Sequence, residues 1–216
     1  IDNHQGLLAT LLDAVLPPSA ILVNGTRTTF DRRYGLRPKP YPIGFRFLDP
    51  ALQMGNFPDL RVDPEHLAAL TVRPRCILVV ENDISGLAVP QVPGAVLFHG
   101  LGYAVDLLAE IPWMQDRPVW YWGDIDIDGF SILSRMRGYL PKTTSFLMDE
   151  ETLLRHRDLW SRDTADRANT LAHLTSEEQA VLTHLQTEVY GVRVRLEQER
   201  VAWDWALKAI RNLPLI

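Results

Sequence analysis

Three aspartates at alternate positions, Asp124, Asp126 and Asp128, follow the apolar run Val119-Trp120-Tyr121-Trp122 and its glycine, Gly123. On an extended chain, side chains two apart point the same way, so Asp124 and Asp126 converge, with Asp128 a candidate third. Carboxylates that close repel one another unless a proton or a cation intervenes. With no His or Cys in the set, the natural partner is a hard ion with oxygen ligands, Mg2+ or Mn2+. The plainer alternative is a loop whose aspartates cap the following helix and favour its N-terminal dipole.

Glu81 is the second half of the pattern, because it directly follows Cys76-Ile77-Leu78-Val79-Val80. Five apolar residues in a row read as a strand buried on both faces, and a carboxylate at its end marks the sheet edge where ligands bind in parallel α/β folds. A Glu that merely ends a strand and points to water is the competing reading. A strand-Glu and a later strand-Asp-x-Asp, about forty residues apart, are more specific together than either alone.

Three other chemistries share part of this pattern. An EF-hand needs a Glu at the twelfth loop position, where Arg135 stands, and a helix where this sequence has a strand. Haloacid-dehalogenase-like phosphatases also use Asp-x-Asp after a strand, but want Thr or Val where Asp128 stands. A zinc site built from Glu81, Asp124 and His99 is the third, since His99 ends a neighbouring apolar run.

The elements that would position these groups alternate. Strands are expected at Cys76 to Val80, Ala95 to Phe98, Val119 to Trp122 and Thr144 to Met148, with helices from about Tyr103 to Glu110 and Phe130 to Leu140 between them. That is an α/β fold with a parallel sheet, and Glu81, Gly100, Asp124 and Asp149 should share the edge at the strands' carboxyl ends. Backbone N–H groups around Gly100 and Gly102 are candidates for a phosphate contact. An amphipathic helix is expected over Gln5 to Val15 and another over Pro64 to Leu70. Thr175-Ser176-Glu177-Glu178 reads as a capping box opening a helix to Leu185, and Arg195 to Ile210 reads as a second amphipathic helix. The expected organisation is an N-terminal helix and Arg/Pro-rich connector (1–71), the core (72–150) and a helical C-terminal extension (151–216).

The formal net charge is -5, which gives no overall basic footprint. Charge is uneven, however. Between Asn24 and Leu48, Arg27, Arg32, Arg33, Arg37, Lys39 and Arg46 face the single acid Asp31. Arg32, Arg33 and Arg37 are the candidate phosphate contacts, against the reading of a solvated loop. The lone cysteine, Cys76, excludes a disulfide framework and suits a cytoplasmic location. No apolar stretch reaches the roughly 18 residues of a membrane span. The chain starts at Ile1 rather than Met, and a preceding domain is expected.

Strand-Glu followed by strand-Asp-x-Asp is the pattern of Toprim domains, found in topoisomerases, primases and several nucleases, and Glu81, Asp124 and Asp126 match its acidic residues. Glu81-Asn82, His99-Gly100-Leu101-Gly102-Tyr103 and the Asp124 to Gly129 segment resemble the topoisomerase VI A subunit family. More similar still is the C-terminal domain family of JetD, the nuclease subunit of Wadjet plasmid-defence systems. That likeness rests on Phe30 to Pro38, Phe45 to Asp49, Tyr121 to Asp126, Phe146 to Asp149 and Arg195 to Arg200, and it spans nearly the whole chain. It implies a Toprim-like core and an Mg2+ or Mn2+-dependent nuclease acting on plasmid DNA. It also implies a homodimer and an SMC-type ATPase complex as partners. Glu81, Asp124 and Asp126 would be catalytic and hold metal, with Asp128 a further metal ligand, and Asn82, Asp149 and Glu197 accessory. Asp128 stands where these relatives vary, and no Tyr matches the topoisomerase tyrosine, so hydrolysis by water is expected rather than strand passage. A phosphatase acting on small phosphates and a DNA-binding scaffold with a vestigial site are the rival classes.

Overall fold

Five consecutive apolar residues cannot offer a polar face to water, and Cys76-Ile77-Leu78-Val79-Val80 accordingly forms a strand with every residue buried. The computed structural model describes residues 4–22, 30–36, 42–163 and 171–214. They fall in two compact units, 1–41 and 42–216.

The first unit contains helices α1 (Gln5–Val15) and α2 (Phe30–Arg33). The second runs β1 (Ile43–Phe47), β2 (Asp59–Val62), α3 (Pro64–Ala68), β3 (Cys76–Val80), α4 (Asp83–Ala88) and β4 (Ala95–His99). A 3-10 helix over Gly102–Glu110 leads to β5 (Val119–Trp122), α5 (Ile127–Tyr139), β6 (Thr143–Ser145) and α6 (Glu150–Arg155). There follow β7 (Ser161–Arg162), α7 (Ser176–Gln186), β8 (Val194–Arg195) and α8 (Trp203–Arg211).

The result is an α/β fold around one six-stranded sheet, ordered β2-β1-β4-β3-β5-β6. β4, β3, β5 and β6 are parallel to one another, while β1 and β2 join antiparallel at one edge. Two strands of the sheet thus come from the connector, in which the alternating run Gly44-Phe45-Arg46-Phe47-Leu48 reads as one strand and β2 is additional. Their inward residues explain why: Ile43, Phe45 and Phe47 are buried, with Phe45 packed 5.1 Å from the ring of Phe98. After β3 the chain moves to one side to make β4, then crosses back to make β5 on the other side. The switch in winding direction lies between β3 and β5, where such sheets leave a crevice at the strands' carboxyl ends.

Two elements differ from expectation. β6 stops at Ser145, and Leu147 takes a left-handed backbone (φ 60°) before Asp149 opens α6. The amphipathic helix expected over Arg195 to Ile210 starts only at Trp203. Tertiary pairing wins over helical periodicity there: Arg195 pairs with Ser161 across the small β7-β8 sheet, and Leu196 exchanges backbone hydrogen bonds with Ile125 (2.9 and 3.2 Å). Glu197 and Glu199 therefore sit in and beside a 3-10 turn, Gln198–Arg200, rather than on two faces of a helix.

Candidate active site

Glu81 and Asp124 leave adjacent parallel strands at the switch point. β3 and β5 stay in register to Val80 and Trp122, and the Glu81 N–H still donates to the Trp122 carbonyl at 3.0 Å. Asp126 then caps α5, its Oδ1 accepting from the Gly129 N–H at 2.7 Å. The helix-cap reading of the aspartates is thus real for Asp126, but it uses one of two oxygens. Gly129 is required for this turn, because a Cβ there would lie 2.1 Å from the Asp124 carbonyl oxygen.

One oxygen from each of Asp124 and Asp126 meets a shared cation, Arg195. Its Nη2 pairs with Asp124 Oδ2, and its Nε lies 2.9 Å from Asp126 Oδ2. Asp124 Oδ1 accepts from the Gln198 N–H at 2.8 Å. Gln198 in turn accepts the Asn82 N–H on its side-chain oxygen at 2.8 Å, and Asn82 Nδ2 donates to Glu199 at 3.2 Å. The 194–200 segment thereby closes the site that β3 and β5 begin. Asn82 also caps α4 through the Ser85 N–H at 2.9 Å.

The charges do not balance. Burial, followed by the nearby charges of Asp124 and Asp126, pushes the Glu81 carboxyl up to about 7, although Tyr121 Oη donates to it at 3.1 Å. Asp126 is pushed up to about 6, chiefly by burial, with Asp124 and Asp163 adding negative charge and the Gly129 N–H and Arg195 opposing. The Arg195 guanidinium is held above its ordinary value, the pull of Asp124 and Asp126 outweighing its own burial.

The model of a protein family, the Wadjet protein JetD C-terminal region, matches residues 35–210. The chain belongs to that family. It is a JetD C-terminal domain of the Wadjet anti-plasmid defence system, and the matched span contains Glu81, Asp124, Asp126 and Arg195. Helices α1 and α2 precede it. No curated protein matches the chain.

The remaining sites expected for this JetD domain fall elsewhere. Asp128 lies in the first turn of α5 and accepts from Tyr103 Oη rather than joining Asp124 and Asp126 at Arg195. Asp149 caps α6 through the Thr152 N–H at 2.7 Å. Glu197 pairs with Arg200 at 2.7 Å and stands 3.8 Å from Arg195, at the margin of the site. Gly100 has a left-handed φ of 68°, and a Cβ there would lie 2.1 Å from Asp83 Oδ1. Its N–H donates to the Val80 carbonyl at 3.3 Å, so it extends the sheet rather than facing a phosphate. Gly102, also left-handed, opens the 3-10 helix.

His99 Nδ1 lies 2.6 Å from Asp83 Oδ1, and its ring fills the space that the missing side chains of Gly44 and Gly86 leave. The zinc arrangement with Glu81 and Asp124 is not assembled. Of the basic track, Arg33 is held by Asp13 at 2.8 Å, and Arg46 caps the end of α4 by donating to the carbonyls of Gly86 and Leu87, both at 2.7 Å. Arg27, Arg37, Lys39 and the Arg32 side chain lie outside the described residues.

Four contributors were missed: Arg195, Gln198, Tyr121 and the buried Asp163. A signal existed for Arg195, which stands between the apolar residues Val194 and Leu196 and so faces away from the side they bury. Nothing local marks Asp163.

Proposed function

We propose that this JetD C-terminal domain is the DNA-cutting part of its defence system, an endonuclease that hydrolyses phosphodiesters in duplex or circular plasmid DNA with Mg2+ or Mn2+. The observation that carries the reading is an acidic centre at the switch point of the sheet, where Glu81, Asp124 and Asp126 outnumber the single guanidinium set among them. Perturbed carboxylates gathered at such a crevice mark a functional site more often than a structural one.

The residues fit a hard divalent ion in kind: their donors are all oxygen, they carry surplus negative charge, and a cation already stands where they converge. As they stand around Arg195, no three His, Cys, Asp or Glu side chains among the described residues are grouped to hold a metal. Asp124 and Asp126 would be the principal ligands, with Glu81 beside them. The ion would polarise the scissile phosphate and stabilise the leaving oxyanion. Glu81, with its pKa near neutrality, is suited to take a proton from the attacking water and return one. Tyr121 holds Glu81 in place by donating to Oε2, and the Gln198 N–H fixes Asp124. Two copies would set two such sites across a duplex, and an SMC-type ATPase complex would select the DNA. Among the described residues no helix is long and apolar enough to cross a membrane.

The test is plasmid cleavage by the complete protein with Mn2+ or Mg2+, with and without chelator, comparing the parent with Glu81→Gln and Asp126→Asn. Loss of several kcal/mol of charge stabilisation corresponds to about three orders of magnitude in rate, at roughly 1.4 kcal/mol per tenfold. DNA binding should survive. A second reading, a DNA-binding scaffold without cleavage, draws support from Arg195 standing in the acidic centre. Plasmid exclusion in cells that persists unchanged in Asp124→Asn would favour it.

A further inference from the structure

We propose that the Arg195 guanidinium occupies the cation position of this site and acts as a latch, so that a divalent ion and Arg195 compete for the same carboxylate oxygens. The inference rests on the metal-dependent reading above and adds a step to it: the site loads only when Arg195 withdraws.

Three observations carry it. First, one planar cation bridges two buried carboxylates and approaches a third: Arg195 meets Asp124 Oδ2 through Nη2, Asp126 Oδ2 through Nε at 2.9 Å, and Glu197 Oε1 through Nη1 at 3.8 Å. Asp124 and Asp126 are the residues that would hold a hard ion, and the guanidinium stands between them. Second, the guanidinium is hydrogen-bonded to Asp124, but its fit to Asp126 is electrostatic rather than well bonded. The buried Nε makes no aligned hydrogen bond although Asp126 is within reach, so an ion with better access to those lone pairs has an advantage. Third, the arginine arrives on a slight support. β8 is two residues long and, among the described residues, is paired at Ser161↔Arg195 and Arg162↔Val194, with the Asp163 N–H on the Arg193 carbonyl at 2.7 Å before it and the Ile125↔Leu196 bridge after it. Asp126, by contrast, is fixed by the Gly129 N–H in the cap of α5, and Asp124 stands two residues past β5 of the main sheet. The carboxylates are therefore the more firmly held part and the guanidinium side chain the movable one.

The experiment is a Mn2+ titration of the complete chain, followed by calorimetry and by thermal unfolding, on the parent, Arg195→Gln and Arg195→Lys. If the closed arrangement is about 90% populated, it weakens apparent metal affinity about tenfold. Arg195→Gln should therefore bind Mn2+ at least about tenfold more tightly, and its melting temperature should rise further on adding Mn2+. Arg195→Lys should fall between, because an ammonium keeps the charge but cannot bridge two carboxylates as a fork. It carries the same test if the Gln variant folds poorly. Adding Asp126→Asn to either variant should remove the gain. Equal or weaker Mn2+ binding by Arg195→Gln and Arg195→Lys, with the parent binding normally, overturns the latch and leaves the metal reading standing. No Mn2+ binding by any of the three overturns both.

Discussion

Two clusters in the 42–216 unit pair an arginine with buried carboxylate, one group in the first and several in the second, and they balance differently. In the first turn of α7, one carboxylate, Glu178, receives Arg137 through Nη1 and Nη2 (2.6 and 2.8 Å), the Ser145 hydroxyl (2.6 Å) and the Thr175 N–H (2.8 Å). Burial pushes its pKa up, but those donors outweigh it and hold the group below its ordinary value. At the ends of β3 and β5, one guanidinium serves Asp124 and Asp126 while Glu81 and Asp163 add charge, and burial with mutual repulsion leaves Glu81 at about 7 and Asp126 at about 6. A carboxylate matched by donors fixes structure. Carboxylates that outnumber their cations are kept short of counter-charge, and a ligand can supply it.

The largest effect should come from breaking the matched cluster. Glu178→Gln leaves the Arg137 guanidinium, with its side chain only 13% exposed, without its charge partner. Removing one member of a buried pair costs about 3–5 kcal/mol. Chemical denaturation should show a loss of about 3 kcal/mol or more, whereas a loss too small to resolve would show that Arg137 finds other partners and that the cluster is not structural.

Acidity should then separate the clusters by sign. Glu178, with a depressed folded pKa, contributes stability that is present above its unfolded pKa and is lost as pH falls through the folded one. Glu81 behaves oppositely: its folded pKa of about 7 exceeds the ordinary 4.5, so a penalty accrues as pH rises from about 4.5 and is complete above about 7. With chelator present, stability should therefore rise as pH is lowered from 8 towards 5 and fall again below about 4.5. Glu81→Gln should flatten the upper limb and raise stability at pH 8 by on the order of 1–2 kcal/mol, the full shift being discounted for partial exposure. An upper limb unchanged by that substitution would mean the acidic centre is not under strain.

What could be read from the sequence follows the same division between local and distant. The strands before Glu81 and Asp124 are continuous apolar runs, so their buried character and the acids at their ends are local properties. The capping box at Thr175 and Glu178 is local as well, and both of its halves form. The counter-charge is not. Arg195 is 71 positions from Asp124, and Gln198 is 116 from Asn82, so their roles depend on how the chain returns to Ile125. The same limit misplaced the helix over Arg195 to Ile210, because side-chain period cannot report that residues 194–196 have strand partners. Arg46 reads as one more charge in a basic track, yet its guanidinium is spent on the carbonyls that end α4.

The smallest effect is expected where a pair of this kind meets water. Arg33 and Asp13 form a forked ion pair at 2.8 and 2.9 Å, with side chains 34% and 41% exposed, and Tyr34 Oη adds a hydrogen bond to Asp13 at 2.7 Å. The Tyr34 hydroxyl and then Arg33 hold the Asp13 carboxyl below its ordinary range. Solvent screens such a pair and offers each charge an alternative partner, so exposed pairs contribute little. Asp13→Asn should leave the unfolding midpoint within measurement scatter, in contrast to Glu178→Gln. The same substitution asks whether the basic track meets DNA. Freed of Asp13, the Arg33 charge is no longer offset by a neighbouring carboxylate, and each added phosphate contact steepens the dependence of log binding constant on log salt by about 0.9. A steeper slope in Asp13→Asn, reversed by adding Arg33→Ala, is the expected result for a phosphate-facing segment. An unchanged slope with an unchanged midpoint would make this pair an ordinary solvated one and remove Arg33 from the DNA-binding surface.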